Sequence, residues 1–255
     1  MGSKGKKRGK APVDYRERFY RSMVDPQDLV AATVQVKETD LHILASLDVK
    51  EDARHLVIQY RHHLESYIAG HPAFLSSLQP LPDDIAAPPI VKEMIAAARK
   101  ANVGPMAAVA GAVAEFVGRD LLESGVEEII VENGGDIFFK RSKKCKISIF
   151  AGASPLSNKI AVLLDPIQMP IAVCTSSASV GHSLSFGKAD SVTVIASSAS
   201  LADALATGIG NEIHSAADVE RAIKKYKEFP EITAVVIIMG EKLGAWGDIE
   251  LAALS

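Results

Sequence analysis

Asp203 and Thr207 stand four residues apart in Ser200-Leu201-Ala202-Asp203-Ala204-Leu205-Ala206-Thr207-Gly208, a run that otherwise reads as buried helix. Positions i and i+4 share one helical face, so a carboxylate and a hydroxyl can address one point. An ionised aspartate is costly to bury without a partner, and a hard cation or a ligand donor would supply one. The plainer reading puts Asp203 near a helix start, capping it or facing the positive end of its dipole. The run by itself supports both readings equally.

Two further stretches carry polar groups where a ligand could use them. Asn133-Gly134-Gly135-Asp136 lies between apolar runs and is first a hairpin signal, two glycines suiting a primed turn. In a functional version the glycines let backbone N–H groups approach a ligand, with Asp136 accepting a hydrogen bond from it. The third stretch, Cys174 to Ser185, places Thr175, Ser176, Ser177 and His182 directly after an apolar strand. Amides and hydroxyls at a strand end are good phosphate donors, and His182 is a candidate phosphate donor or general base. The competing reading is a polar surface loop with an exposed histidine.

These residues need elements to hold them. Tyr15–Tyr20, Thr33–Val36 and Leu41–Leu44 read as strands separated by polar breaks. Glu51–Ile68 has helical spacing and ends at Gly70. A proline-rich loop from Pro80 ends at Pro89, which can open a helix reaching Ala101. Met106–Ser124 is a second helix, rich in alanine and glycine. That density permits close approach of a ligand or of another backbone, including a dimer partner. Further strands are expected at Glu128–Val131, Ile137–Phe139, Cys145–Ala151, Lys159–Leu164, Ile171–Thr175 and Ser191–Ala196. Helices Leu201–Ile209 and Ala216–Phe229 follow, the second with Ser215 as its cap, before strands Ile232–Met239 and Leu243–Trp246. Hairpins outnumber crossovers, so the expected fold is α/β with a largely antiparallel sheet.

Composition bounds the function. Of 255 residues, 48% are apolar, enough for a real core, and the net charge of −3 does not point to specific nucleic-acid binding. No apolar run approaches the roughly 20 residues of a membrane span. Lys4, Lys6, Lys7, Arg8 and Lys10 make residues 1–12 a basic arm, expected to be disordered, with residues 13–255 forming one domain. No apolar segment follows that arm as in a leader, and Cys145 and Cys174 suit neither a metal site nor a disulfide framework. A cytoplasmic protein is expected.

Taken in order, Val131-Glu132-Asn133-Gly134-Gly135-Asp136-Ile137, Ala172-Val173-Cys174-Thr175-Ser176-Ser177, and Ser191-Val192-Thr193-Val194-Ile195-Ala196 leading to Ala202-Asp203-Ala204-Leu205-Ala206-Thr207 resemble the ApbE family. The resemblance runs clearly from about Pro105 to Gly210 and suggests a divergent branch. It implies a T-fold-like α/β fold, FAD as cofactor, and Mg²⁺ at the pyrophosphate beside Asp203 and Thr207. The Gly-Gly-Asp turn would line the flavin nucleotide site together with Thr175, Ser176, Ser177 and His182. The family activity splits FAD, places FMN on a threonine of a target protein and releases AMP.

The chain also departs from the family. Ala110-Gly111 stands where a Lys-Gly pair is usual, and Glu115 replaces the following Asp. Thr-Ser-Gly has become Thr175-Ser176-Ser177, and the His-Ile-x-Asp-Pro-x-Thr-Gly segment has no counterpart between Ser176 and Ser191. His182 and Asp203 are the catalytic candidates that remain. Three functions are therefore open: Mg²⁺-dependent FMN transfer or FAD pyrophosphate hydrolysis; a flavin or nucleotide carrier without chemistry; and an assembly protein whose basic arm meets a partner.

Overall fold

The computed structural model of the protein describes residues 28–178 and 186–254. The expected strand Tyr15–Tyr20, the basic arm and His182 lie outside these residues. The chain opens with the hairpin of β1 (Val30–Val36) and β2 (Thr39–Ala45). Three helices follow: α1 (Lys50–Gly70), the short α2 (Pro72–Ser76) and α3 (Pro89–Ala101). Pro89 opens α3 in its first turn, where the missing N–H leaves no bond unmade. A 3-10 turn (Pro105–Ala108) leads into α4 (Val109–Glu123), so the expected helix from Met106 begins with a tighter turn.

Next come the hairpin β3 (Ile129–Asn133) and β4 (Asp136–Lys140), the strands β5 (Cys145–Ser148) and β6 (Ile160–Leu164), and the pair β7 (Ile171–Ser176) and β8 (Ser191–Ala196). The chain closes with α5 (Ala199–Glu212), α6 (Asp218–Tyr226), β9 (Ile232–Met239), β10 (Lys242–Gly247) and β11 (Glu250–Ala253). The expected cap of α6 is reversed. Asp218 accepts bonds from the Ser215 hydroxyl and from the amides of His214 and Ser215, so the carboxylate gathers the chain preceding its helix.

Eight strands form one sheet in the order β1-β2-β3-β4-β7-β8-β9-β10, and β11-β6-β5 form a second. Every strand pairing is antiparallel. The larger sheet holds the same path twice: a pair of strands, a helical excursion, then a second pair beside the first. No sequence repeat announces this duplication.

Strand periodicity explains the layers. Ile43 enters one apolar cluster with helices α1, α3, α4 and α5, while its neighbour Leu44 enters another with Val162 and Leu164 of the small sheet. Successive side chains point to opposite faces, so the large sheet is covered by helices on one face and partly by three strands on the other. Helix α5 lies deepest, with every residue from Ala199 to Gly210 buried. Among the described residues no single helix is long and apolar enough to cross a membrane.

Candidate functional site

The dense small residues of α4 and α5 let the two helices meet backbone to backbone. A Cβ added to Gly111 would lie 2.2 Å from the carbonyl oxygen of Ala199. At this crossing the helices cap one another. Glu115 Oε2, on α4, accepts bonds from the amides of Ala199 at 2.7 Å and Ser200 at 3.1 Å and from the Ser198 hydroxyl at 3.1 Å. In return, Asp203 Oδ2, on α5, accepts from the amide of Gly111 at 2.9 Å. Asp203 is thus no cap of its own helix, which Ser198 caps by accepting from Leu201; it sits against the first turn of the neighbouring one.

The Asn133–Asp136 hairpin arrives from the sheet. Gly134 and Gly135 have φ of +67° and +109°, as a primed two-residue turn demands. A side chain on either would meet nothing within 4 Å; the backbone, not crowding, calls for glycine. Asn133 Nδ2 donates to the carbonyl of Ala110 at 3.0 Å and ties the turn to the start of α4. Asp136 turns inward, where Oδ1 accepts from the amide of Thr175 at 3.1 Å. Thr175 in turn shares a hydroxyl–hydroxyl bond of 2.9 Å with the buried Thr193.

A cleft of about 920 Å³ opens over these groups. Asn133, Gly134, Gly135, Asp136, Thr175, Ser176, Ser177, Asp203 and Thr207 all line it. Every candidate residue within the described segments therefore reaches one cavity, from three separate stretches of chain. Its size falls in the upper part of the usual range for small-molecule sites. Part of the lining comes from α1, the 3-10 turn and α4, including Leu64, Met106 and Val109; part comes from the small sheet and the residues just after β5, including Ile147, Val162 and Ile149. At the mouth, Arg61 bonds Thr39 at 2.8 Å and pairs with Glu38 at 2.6 Å and Glu65 at 2.8 Å.

Electrostatics set Asp136 and Asp203 apart from the other acids. Burial pushes the Asp136 carboxyl up to about 7, aided by the nearby Glu132 charge and opposed by the bonds from Thr175 and Cys174. Burial likewise drives Asp203 well above the ordinary carboxyl range; the Asp136 charge adds to this, and the Gly111 and Ala110 amides oppose it. Among the described residues no lysine or arginine contributes to either shift. Two interacting acids buried in one cleft, with Arg61 and Lys146 elsewhere in its lining, form a site that gains from positive charge placed between them. Among the described residues no three His, Cys, Asp or Glu side chains group into a metal cage. The oxygens that could hold a cation here are two carboxylates and the Thr207 hydroxyl, a hard set that would suit an ion keeping waters and ligand phosphates in its shell. Cys174 lies beneath them with its thiol pushed up, first by burial and then by the two aspartates, so it is core rather than nucleophile.

Sequence reasoning missed several of these features. It treated Asp136 only as a hydrogen-bond acceptor, whereas the fold makes it the electrostatic partner of Asp203. Thr193 read as an ordinary strand residue, and Lys37 to Asp40 as a mere break; Glu38, Thr39 and Asp40 line the mouth. The alternation on β8 that buries Thr193 among apolar neighbours was the one available signal.

The comparisons with known proteins bear on the family and the fold. The family model described as AbpE bacteria matches residues 21–237. A UPF0280 protein of Methanococcus aeolicus is 38% identical over 226 residues, covering 87% of this chain and 91% of the relative. Another, from Methanothermobacter thermautotrophicus, is 44% identical over 197 residues and covers 76% of each. The flavinyl transferase ApbE of Pseudomonas stutzeri superposes with a TM-score of 0.56 at 17% identity, covering 86% of this chain and 94% of that one. A variant of the flavin transferase ApbE from Vibrio cholerae gives 0.54 at 18% identity, covering 86% and 96%. The chain belongs to the AbpE bacteria family, a divergent ApbE-like group, and has the fold of the flavin transferases.

Proposed function

We propose that this protein binds FAD in the cleft together with a divalent cation, Mg²⁺ by its oxygen donors, and cleaves the FAD pyrophosphate. The observation that supports this reading is the meeting of Asp136, Asp203 and Thr207 in one cleft, where, among the described residues, the shifts of the two acids carry no lysine or arginine contribution. A dinucleotide diphosphate is itself anionic, so an acidic floor accepts it only with added positive charge. A cation bound there neutralises the diphosphate and polarises its phosphoryl oxygens.

The protein's own groups have separate tasks. Asp203 and Asp136 would hold the cation through carboxylate oxygens, with the Thr207 hydroxyl as a third donor. The Gly134-Gly135 turn leaves its backbone uncovered for close approach, and Thr175, Ser176 and Ser177 offer hydroxyls beside the phosphates. The apolar walls near Ile147 and Met106 take the planar ring systems and exclude water. The acceptor of FMN is then water or a hydroxyl of a partner protein.

A second reading, a flavin carrier without chemistry, draws on one observation. Ala110 lines the cleft at the position where the family resemblance calls for lysine. Incubating the protein with FAD and Mg²⁺, then resolving FAD, FMN and AMP by chromatography, separates the two. Cleavage predicts AMP in step with FMN, either free or as added mass on a protein, and its loss in Asp203→Asn. Intact FAD that co-purifies supports the carrier. Absence of both turnover and cation-dependent binding contradicts the proposal.

A further inference from the structure

Ala199, Asp203 and Thr207 follow one another at intervals of four on α5 and so share one face of the helix. The amide of Ala199, the first residue on that face, is held by Glu115 at 2.7 Å. Glu115 is itself buried, 3% exposed, and is not among the residues lining the cleft. Its Oε2 also collects the Ser200 amide and the Ser198 hydroxyl, while Oε1 faces Arg119 Nη1 at 3.5 Å.

We infer that Glu115 is a positioning residue: its carboxylate fixes the rotation of α5, and with it where Asp203 and Thr207 stand relative to Asp136. The lever is short. Side-chain tips lie about 5 Å from a helix axis, so a turn of about 20° moves an oxygen by nearly 2 Å. Metal–oxygen distances tolerate only about 0.2 Å. Gly111 gives the same crossing its closeness, and Asp203 closes it from the other side. Three donors converge on the single Oε2 atom, and an amide oxygen at the same reach can accept from all three, so side-chain length at position 115 matters more than its charge. This inference rests on the cation reading above for its functional meaning, but its structural content stands apart from that reading.

The test compares Glu115→Asp, which shortens the reach by one methylene, with Glu115→Gln, which keeps it. Two readouts are taken on the full chain: Mn²⁺ affinity by titration, and the chemical shift of the Gly111 amide proton, which reports its bond to Asp203 without any metal. The inference expects Glu115→Asp to fold, to move the Gly111 amide resonance, and to weaken Mn²⁺ binding about tenfold or more. Glu115→Gln is expected to keep both close to wild type. A merely structural role would lower thermal stability in both variants and leave the resonance and the affinity of the folded protein unchanged; that result overturns the inference. If the wild type binds no Mn²⁺ while the Gly111 resonance still moves only in Glu115→Asp, the cation reading fails and the positioning role stands.

Discussion

The amide of Gly111 donates to Asp203 Oδ2 at 2.9 Å, across a helix crossing so close that a Cβ on residue 111 would lie 2.9 Å from the Asp203 Cβ. One glycine thus sets both the contact between α4 and α5 and the pose of Asp203, a buried acid of the cleft. Gly111→Ala is expected to force the helices apart and destabilise the protein by about 1–3 kcal/mol, measured by urea unfolding. The folded fraction should respond less to divalent cations than wild type, read as the shift in melting temperature on adding Mg²⁺.

Asp136 yields a pH dependence. Its folded-state carboxyl, pushed up to about 7 by burial, holds a proton more tightly than the unfolded chain does. Its contribution to stability is therefore full below the ordinary carboxyl range and is lost as the pH rises toward and past 7. Asp136→Asn removes that loss. In metal-free protein its stability advantage over wild type should be small at about pH 4 and on the order of 4 kcal/mol at about pH 8. An advantage that shrinks with rising pH in paired denaturation series would contradict the assignment.

How much of this was legible beforehand follows a physical line. The i, i+4 spacing of Asp203 and Thr207, the Asn133–Asp136 turn and the hydroxyls ending β7 are local patterns, and each lies where its pattern says. Pairings across the fold are different in kind. Nothing near Asp136 in the chain reports that Asp203 will be its neighbour, because β4 and α5 meet only through the sheet order. Glu115 read as a departure from a family motif, yet it anchors the helix that carries the site. The short α2 and β11 leave no mark in the sequence because their runs are too brief for a periodicity, and Ser215 reads as a cap because serine and aspartate are both good acceptors. The duplicated strand path was invisible because it is a repeat of topology rather than of residues.

The turn separates backbone demand from side-chain demand. Gly135, at φ +109°, lies where residues other than glycine are strained, whereas Gly134, at φ +67°, lies near the left-handed region that asparagine accepts. Gly135→Ala should cost about 1–2 kcal/mol and disturb the inward turn of Asp136; Gly134→Asn should fold close to wild type. Melting curves of the two variants, side by side, check the order.

Thr207 is buried, 6% exposed, and lines the cleft. Thr207→Val keeps its shape and removes the hydroxyl. The expected outcome is a fold within about 1 kcal/mol of wild type and weaker Mn²⁺ binding in calorimetry. Unchanged binding would remove Thr207 from the donor set and leave the two carboxylates to hold the cation.

The central claim is that the acidic floor of the cleft takes a flavin dinucleotide only with a divalent cation. Calorimetric titration of the metal-free protein with FAD, in excess Mg²⁺ and again in excess chelator, tests it most directly. The account predicts saturable binding with Mg²⁺, little or none with chelator, and none in Asp203→Asn under either condition. FAD binding of equal strength with and without the cation, or undiminished in Asp203→Asn, would contradict it.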